Sequence, residues 1–225
     1  MKITHHGAGK LTIAVVACLH GDEILGAQAL AGINSTECKL IKIVANEEAM
    51  NPPKRFLEVD GNRCFPGTLE GRHEERIAAK LVSHLSNVDA VIDIHTTTSK
   101  TKPFTIVTKH FDLALHSPLE ATVVMSPVVA SGRALIDHCR GVSLEFNEKT
   151  TVEEVCDVVN KMIYNIVHDK VHVSDKFEVY GKITDKKFSG VNFQLTTVDT
   201  ESFYPVLLGE RSYTDMVCLK ARKIN

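Results

Sequence analysis

Short apolar runs that stop abruptly alternate along this chain with stretches of helical spacing. LTIAVVAC, residues 11–18, is apolar and rich in β-branched residues, with Gly9 and Lys10 ahead of it, and predicts a buried strand. DEILGAQALA, residues 22–31, changes to a helical spacing that Gly32 stops. LIKIVA at 40–45 predicts the next strand. Residues 46–71 show neither period and carry Pro52, Pro53 and Pro66; an irregular stretch of this length inside a domain is uncommon unless it has a function. HEERIAAKLVSHLS, residues 73–86, predicts an amphipathic helix, and VDAVIDIH, residues 88–95, a strand that ends on a histidine.

FTIVT, ATVVM and GVSLEF supply further strands. TVEEVCDVVNKMIYNIVH, residues 151–168, is the clearest helix, with Thr150 or Thr151 as its cap and acids in its first turn. Beyond about residue 170 the spacing changes again. FEVYGKI, FYPVLL and MVCLKARK alternate, separated by turn residues, and predict a small β appendage. The expected division is therefore an α/β domain over 1–169 and a C-terminal β-rich segment over 170–225. The order of elements predicts an α/β fold with a mixed, mostly parallel sheet flanked by helices. Ligands of such sheets gather at the carboxyl ends of the strands, where His20 and His95 both fall.

Composition narrows the classes. The chain has 225 residues, 44% apolar and 24% charged, an ordinary globular balance with a sizeable core. A net charge of -2 gives no electrostatic reason to expect nucleic acid or an anionic membrane as partner, so a small anionic substrate would need locally placed arginines. The six cysteines include no C-x-x-C pair, and several sit within apolar runs, which predicts buried free thiols and a reducing, cytoplasmic setting. Lys2 and Lys10 ahead of LTIAVVAC imitate a short signal peptide, but cleavage there would remove the strand leading into His20. No apolar run reaches the ~18 residues of a membrane span.

Candidate chemistry begins with HGDE at 20–23 and DIH at 93–95. His20 and Glu23 lie three apart across a strand-to-helix junction, and His95 ends a second strand. Two histidines and a carboxylate form a catalytic zinc set with a fourth position open to water. The plainer reading is a strand reaching the surface where a helix cap begins. Asp93 is either a partner of His95 or a polar strand-end residue. GAGKLT precedes a strand and lacks the spacing of a phosphate loop, HEERI has no second histidine for zincin spacing, and G-x-S-x-G is absent.

HGDE, Asn51-Pro52, Arg55, DGNRCF (60–65), DIHT, GVSLEF and YPVLLGERSY follow one another in order over nearly the whole chain. In that order they resemble the succinylglutamate desuccinylase/aspartoacylase family, zinc hydrolases of carboxypeptidase-like fold. The resemblance implies one zinc ion per chain, held by His20, Glu23 and His95. It implies Glu145 as general base, Arg55 as the group that polarises the scissile carbonyl, Asn62 and Arg63 as the grip on a free substrate carboxylate, and Tyr213 as an assisting residue. Arg133 is a candidate for a further carboxylate-binding arginine. Two departures stand out. Gly61 replaces a leucine, and Glu145 is followed by Phe-Asn-Glu where the family has glycine, which makes Glu148 a rival base. The implied activity is hydrolysis of an N-acyl amino acid with a free carboxylate, N-acetylaspartate or N-succinylglutamate being examples. A small metallocarboxypeptidase and a non-catalytic metal- or metabolite-binding relative are the alternatives, and the oligomeric state stays open.

Overall fold

The computed structural model describes residues 1–126 and 131–225. An inner strand of its sheet is β2 (Thr12–Ala17), whose residues from Ile13 onward are fully buried. β3 (Lys39–Val44) and β4 (Ala90–Thr97) flank it in parallel, with Ile13 opposite both Leu40 and Ala90. A strand covered on both faces needs apolar residues at every position, which is why LTIAVVAC does not alternate. On one face α1 (Ile24–Ala29) packs on α4 (Val152–Val167), and Val155, Val159 and Met162 of α4 complete that core with Ile92 and Leu144. On the other face α2 (His73–Leu85) buries Ile77, Leu81 and Leu85 against Val16 and Ile43. Thr151 caps α4, its hydroxyl accepting the Glu154 N–H at 3.2 Å while Glu154 reaches back.

β7 (Gly141–Asn147) pairs in parallel with β4, and β5 (Phe104–Val107) and β6 (Ala121–Met125) follow. β6 then pairs in parallel with β8 (Asp175–Ile183). Beyond it lie β11 (Cys218–Ile224), β10 (Glu201–Val206) and β9 (Thr196–Val198) in antiparallel order. The fold is thus α/β with a mixed sheet, parallel through its centre, and the C-terminal strands continue it rather than forming a separate sheet. Their core of Phe177, Val179, Val206 and Ala221 joins Phe104 and Val123.

Several short elements among the described residues lie outside the expectations. β1 (Lys2–His6) is an edge strand antiparallel to β3, with His5 and His6 exposed, so little hydrophobic signal marks it. α3 (Phe111–Ala114) is a single turn and β9 is three residues long. Among the described residues no helix is long and apolar enough to cross a membrane.

Candidate metal centre and substrate pocket

β3 and β4 leave β2 on opposite sides, which opens a crevice at the carboxyl ends of β2 and β4. After Ala17 the chain turns sharply: Cys18 adopts φ 53, a strained conformation for a side chain of this type, and the loop carries His20 into the crevice. Gly21 packs so closely on Ala49 that a Cβ there would lie 2.4 Å from its backbone carbonyl carbon. α1 begins two residues later than the spacing predicts. Glu23 makes no cap hydrogen bond; its carboxylate turns inward instead, to Nδ1 of His20 at 2.8 Å and Nδ1 of His95 at 3.0 Å.

The three side chains are 3%, 6% and 3% exposed for His20, Glu23 and His95, and one ligand atom from each lies within 4.8 Å of the others. The outer ring nitrogens also have carboxylate partners. His20 Nε2 faces Asp60 at 3.1 Å and His95 Nε2 faces Asp93 at 2.7 Å. Carboxylates in these positions orient a ligating imidazole and raise its basicity. Asp93 is fully buried, and its Oδ1 has no hydrogen-bond partner among the described residues.

Charge in the cluster favours a cation. Burial acts to lower the His95 pKa, but Asp93 and Glu23 outweigh it and hold the ring well above its usual range. His20 is raised in the same way by Glu23 and Asp60 against the effect of burial. Burial acts to raise Glu23, yet the two histidines bring it well below the ordinary carboxylate range. Positive charge is therefore stabilised where the three donors meet, and two imidazoles with a carboxylate fit a divalent metal ion there.

Register brings the next residue in. In the parallel pair of β4 and β7, Glu145 stands directly beside His95. Partial burial, reinforced by the Glu23, Glu210 and Asp93 charges, pushes its carboxyl up to about 7 although His95 pulls it down. Glu148 lies past the end of β7, exposed, with its N–H bonded to Thr97.

The irregular stretch between β3 and α2 delivers the arginines. Its fold depends on Glu74, a buried first-turn residue of α2 whose carboxylate accepts the N–H groups of Leu57, Glu58 and Val59 at 2.7–3.1 Å and the Asn46 amide at 3.1 Å. Asp60 then caps a turn over Gly61–Arg63, accepting the Asn62 N–H at 3.0 Å. The same carboxylate receives Arg55 Nε and Nη2 at 3.1 and 3.0 Å, so one side chain ties Arg55 to His20. Arg55 Nη1 reaches Ser212 at 3.1 Å and lies 3.9 Å from Glu23. Arg63 donates to the Tyr213 hydroxyl at 2.6 Å, and Asn62 Oδ1 accepts the Leu135 N–H at 3.0 Å. Tyr213 is carried in by the turn after β10, which Glu210 pins to the end of β4 through Thr97 and the Thr98 N–H at 2.9 Å.

A narrow hollow of about 40 Å³ is lined by His20, Glu23, His95, Arg55, Glu145 and Tyr213. A second of about 340 Å³ opens beside it, and Asn62, Arg63, Glu145, Leu207 and Tyr213 line both. Eight of the nine expected site residues are thus brought to one crevice. Arg133 is not: it is exposed, lines neither hollow, and its charge acts on Cys64 and Glu75. Its own backbone carbonyl accepts the Phe65 N–H at 3.2 Å, which holds the backbone here but brings no guanidinium into either hollow. Asp60 and Glu210 also hold the crevice together, and the sequence reading leaves both unassigned. Asp60 does carry a signal, since an acid two residues before Asn62 is a turn-capping spacing.

A sheet of this order, with two histidines and a glutamate gathered at its central crevice, defines the zinc carboxypeptidase-like fold class. Murine aminoacylase 3 shares it with a TM-score of 0.81 at 17% identity, over 97% of this chain and 97% of that one. The succinylglutamate desuccinylase from Chromobacterium violaceum does so with a TM-score of 0.69 at 14% identity, over 96% of this chain and 85% of that one. At such identities these likenesses carry the fold alone. Residues 10–125 match the succinylglutamate desuccinylase/aspartoacylase catalytic domain, and the chain belongs to that family. A probable aspartoacylase from Nostoc sp. is 32% identical over 104 residues, which is 39% of this chain and 35% of the relative. One from Acaryochloris marina is 28% identical over 103 residues, with the same shares. The matched stretch therefore spans about a third of the length of these curated relatives.

Proposed function

We propose that this chain is a zinc-dependent hydrolase that cleaves the amide bond of an N-acyl amino acid carrying a free carboxylate. The observation that carries the reading is that Glu145 stands beside His95 in strand register while Arg63, Asn62 and Tyr213 line the same crevice. His20, Glu23 and His95 would hold one zinc ion, with Asp60 and Asp93 fixing the two rings. When bound, zinc polarises a carbonyl and makes water more acidic.

Glu145 takes a proton from the attacking water as a C–O bond forms at the acyl carbon. It returns that proton to the departing nitrogen as the C–N bond breaks. A carboxylate placed beside a metal-activated water can pass a proton in both directions at neutral pH. Arg55, held by Asp60, faces negative charge developing on the carbonyl oxygen. Arg63 has donors beyond those given to Tyr213 and to the Asn62 carbonyl, and a guanidinium fork binds a carboxylate with two parallel hydrogen bonds.

In this reading residues 1–169 are the hydrolase domain and 170–225 the segment that closes the pocket through Tyr213. The described cysteines are all free thiols, in keeping with a cytoplasmic setting. The test is amino-acid release from N-acyl amino acids, their methyl esters and blocked dipeptides, with and without zinc. Zinc-dependent release from the free acids supports the proposal. Faster cleavage of blocked dipeptides would move the chain to the carboxypeptidase reading, and no release with zinc bound would leave a binding protein.

A further inference from the structure

We infer that the larger hollow is a side-chain pocket selective for apolar amino acids, so that acidic N-acyl amino acids are poor substrates. This rests on the deacylase reading and names its substrate class. The walls carry Ile106 from β5, Met125 from β6, Ile136, Met216 just ahead of β11 and Leu219 within it. Ile106 and Leu219 belong to a continuous apolar core against which Met125 and Met216 pack, so that wall offers apolar contact.

Charges around the hollow do not favour an acidic side chain. Among the described residues lining it the cations are Arg63 and Lys182. Arg63 is reserved for the carboxylate next to the scissile amide, and Lys182 is already paired with Asp215. Asp137 and Asp215 add negative charge to the lining, and Arg133 stays outside. Residues 127–130 contain no charged side chain. A carboxylate pushed into this hollow would lose water and find no unpaired cation among the described lining residues, whose neutral donors include the hydroxyls of Thr108, Ser131 and Ser143.

The two volumes assign the halves of the substrate. A water needs at least ~10–15 Å³ of such space, so the 40 Å³ at the metal side admits only a small acyl group. Arg63 and Glu145 sit where the two hollows meet. With the carboxylate on Arg63 and the amide beside Glu145, the amino-acid side chain points into the larger hollow.

The experiment compares kcat/KM of the zinc-loaded protein for N-acetyl-L-phenylalanine, N-acetyl-L-leucine, N-acetyl-L-aspartate and N-octanoyl-L-aspartate. The apolar acetyl substrates should exceed N-acetyl-L-aspartate by at least about tenfold, the selectivity an apolar pocket supplies. Met216→Arg, at a partly exposed loop position, should shrink or reverse that ratio, and Met216→Ala should shrink it without adding charge. Equal or faster cleavage of N-acetyl-L-aspartate would overturn the inference. So would N-octanoyl-L-aspartate as the best substrate, since it would put the acyl chain in the hollow. Calorimetric titration of Glu145→Gln with the phenylalanine and aspartate derivatives separates this inference from the deacylase reading. Tighter binding of the phenylalanine derivative, lost in Met216→Arg, sustains the pocket even if nothing is hydrolysed. Tighter binding of the aspartate derivative, or no binding of either, refutes it.

Discussion

Glu74→Ala tests whether the arginine-bearing loop depends on one buried carboxylate. Glu74 is 2% exposed and accepts four donors: three consecutive backbone N–H groups, Leu57 to Val59, and the Asn46 side chain. A buried donor left unpaired costs about 1–3 kcal/mol. Leu57 and Glu58 are exposed, so water can replace part of what they lose. Counting all four at the low end gives a destabilisation of about 3–4 kcal/mol. At roughly 2–4 °C per kcal/mol for a chain of this size, the melting temperature should fall by about 6–15 °C. The four N–H bonds hold Glu74 below its usual pKa against the effect of burial. A carboxyl depressed on folding stabilises the protein above its unfolded pKa, and that contribution fades as the pH falls below it. The gap between wild type and variant should therefore be full at pH 7 and should narrow below about pH 4.5, the ordinary carboxyl range. Thermal unfolding followed by circular dichroism at several pH values measures both. A melting temperature at pH 7 within about 2 °C of wild type would refute the clamp, because no four-donor loss is that small.

Glu145→Gln should keep metal and substrate affinity and lose most of kcat, while Glu148→Gln should leave turnover near that of wild type; the reverse pattern in steady-state kinetics would transfer the base to Glu148. Because the metal-free protein raises Glu145 to about 7, it binds a proton that the unfolded chain has released, so its contribution to stability is lost as pH rises through 7. Metal-free Glu145→Gln should accordingly melt above metal-free wild type at pH 8, with the difference closing toward pH 5. Arg63→Ala, or a methyl-ester substrate, removes a partly buried charge pair worth roughly 3–5 kcal/mol if fully desolvated, so kcat/KM should fall on the order of a hundredfold or more. A loss below about fivefold would take the carboxylate grip away from Arg63.

How much of this was legible depended on burial. β2 and β4 are sandwiched between helices, so LTIAVVAC and AVIDIH declare themselves by apolar runs and their histidines mark the strand ends. β1 lies at the sheet edge and β9 spans three residues, so neither has a hydrophobic face long enough to read. Glu74 looks like any first-turn acid of a solvent-facing helix. Its burial follows from a loop that doubles back over α2, a long-range event that local spacing does not encode. Asp60 sits in a motif whose neighbours attract all the attention, yet it is the side chain that couples Arg55 to His20. Arg133 is the opposite case, a charge at a suggestive distance along the chain that is exposed and lines neither hollow.

The central claim is that His20, Glu23 and His95 hold one zinc ion that the hydrolysis requires. The most direct measurement titrates zinc into metal-stripped protein while following both bound metal and amino-acid release from an N-acetyl amino acid. Activity should rise in proportion to zinc, stop at one equivalent per chain, and be absent at every zinc level in His95→Ala, which should retain no stoichiometric metal. Full activity in the stripped protein, or one tightly bound zinc surviving His95→Ala unchanged, would contradict the account.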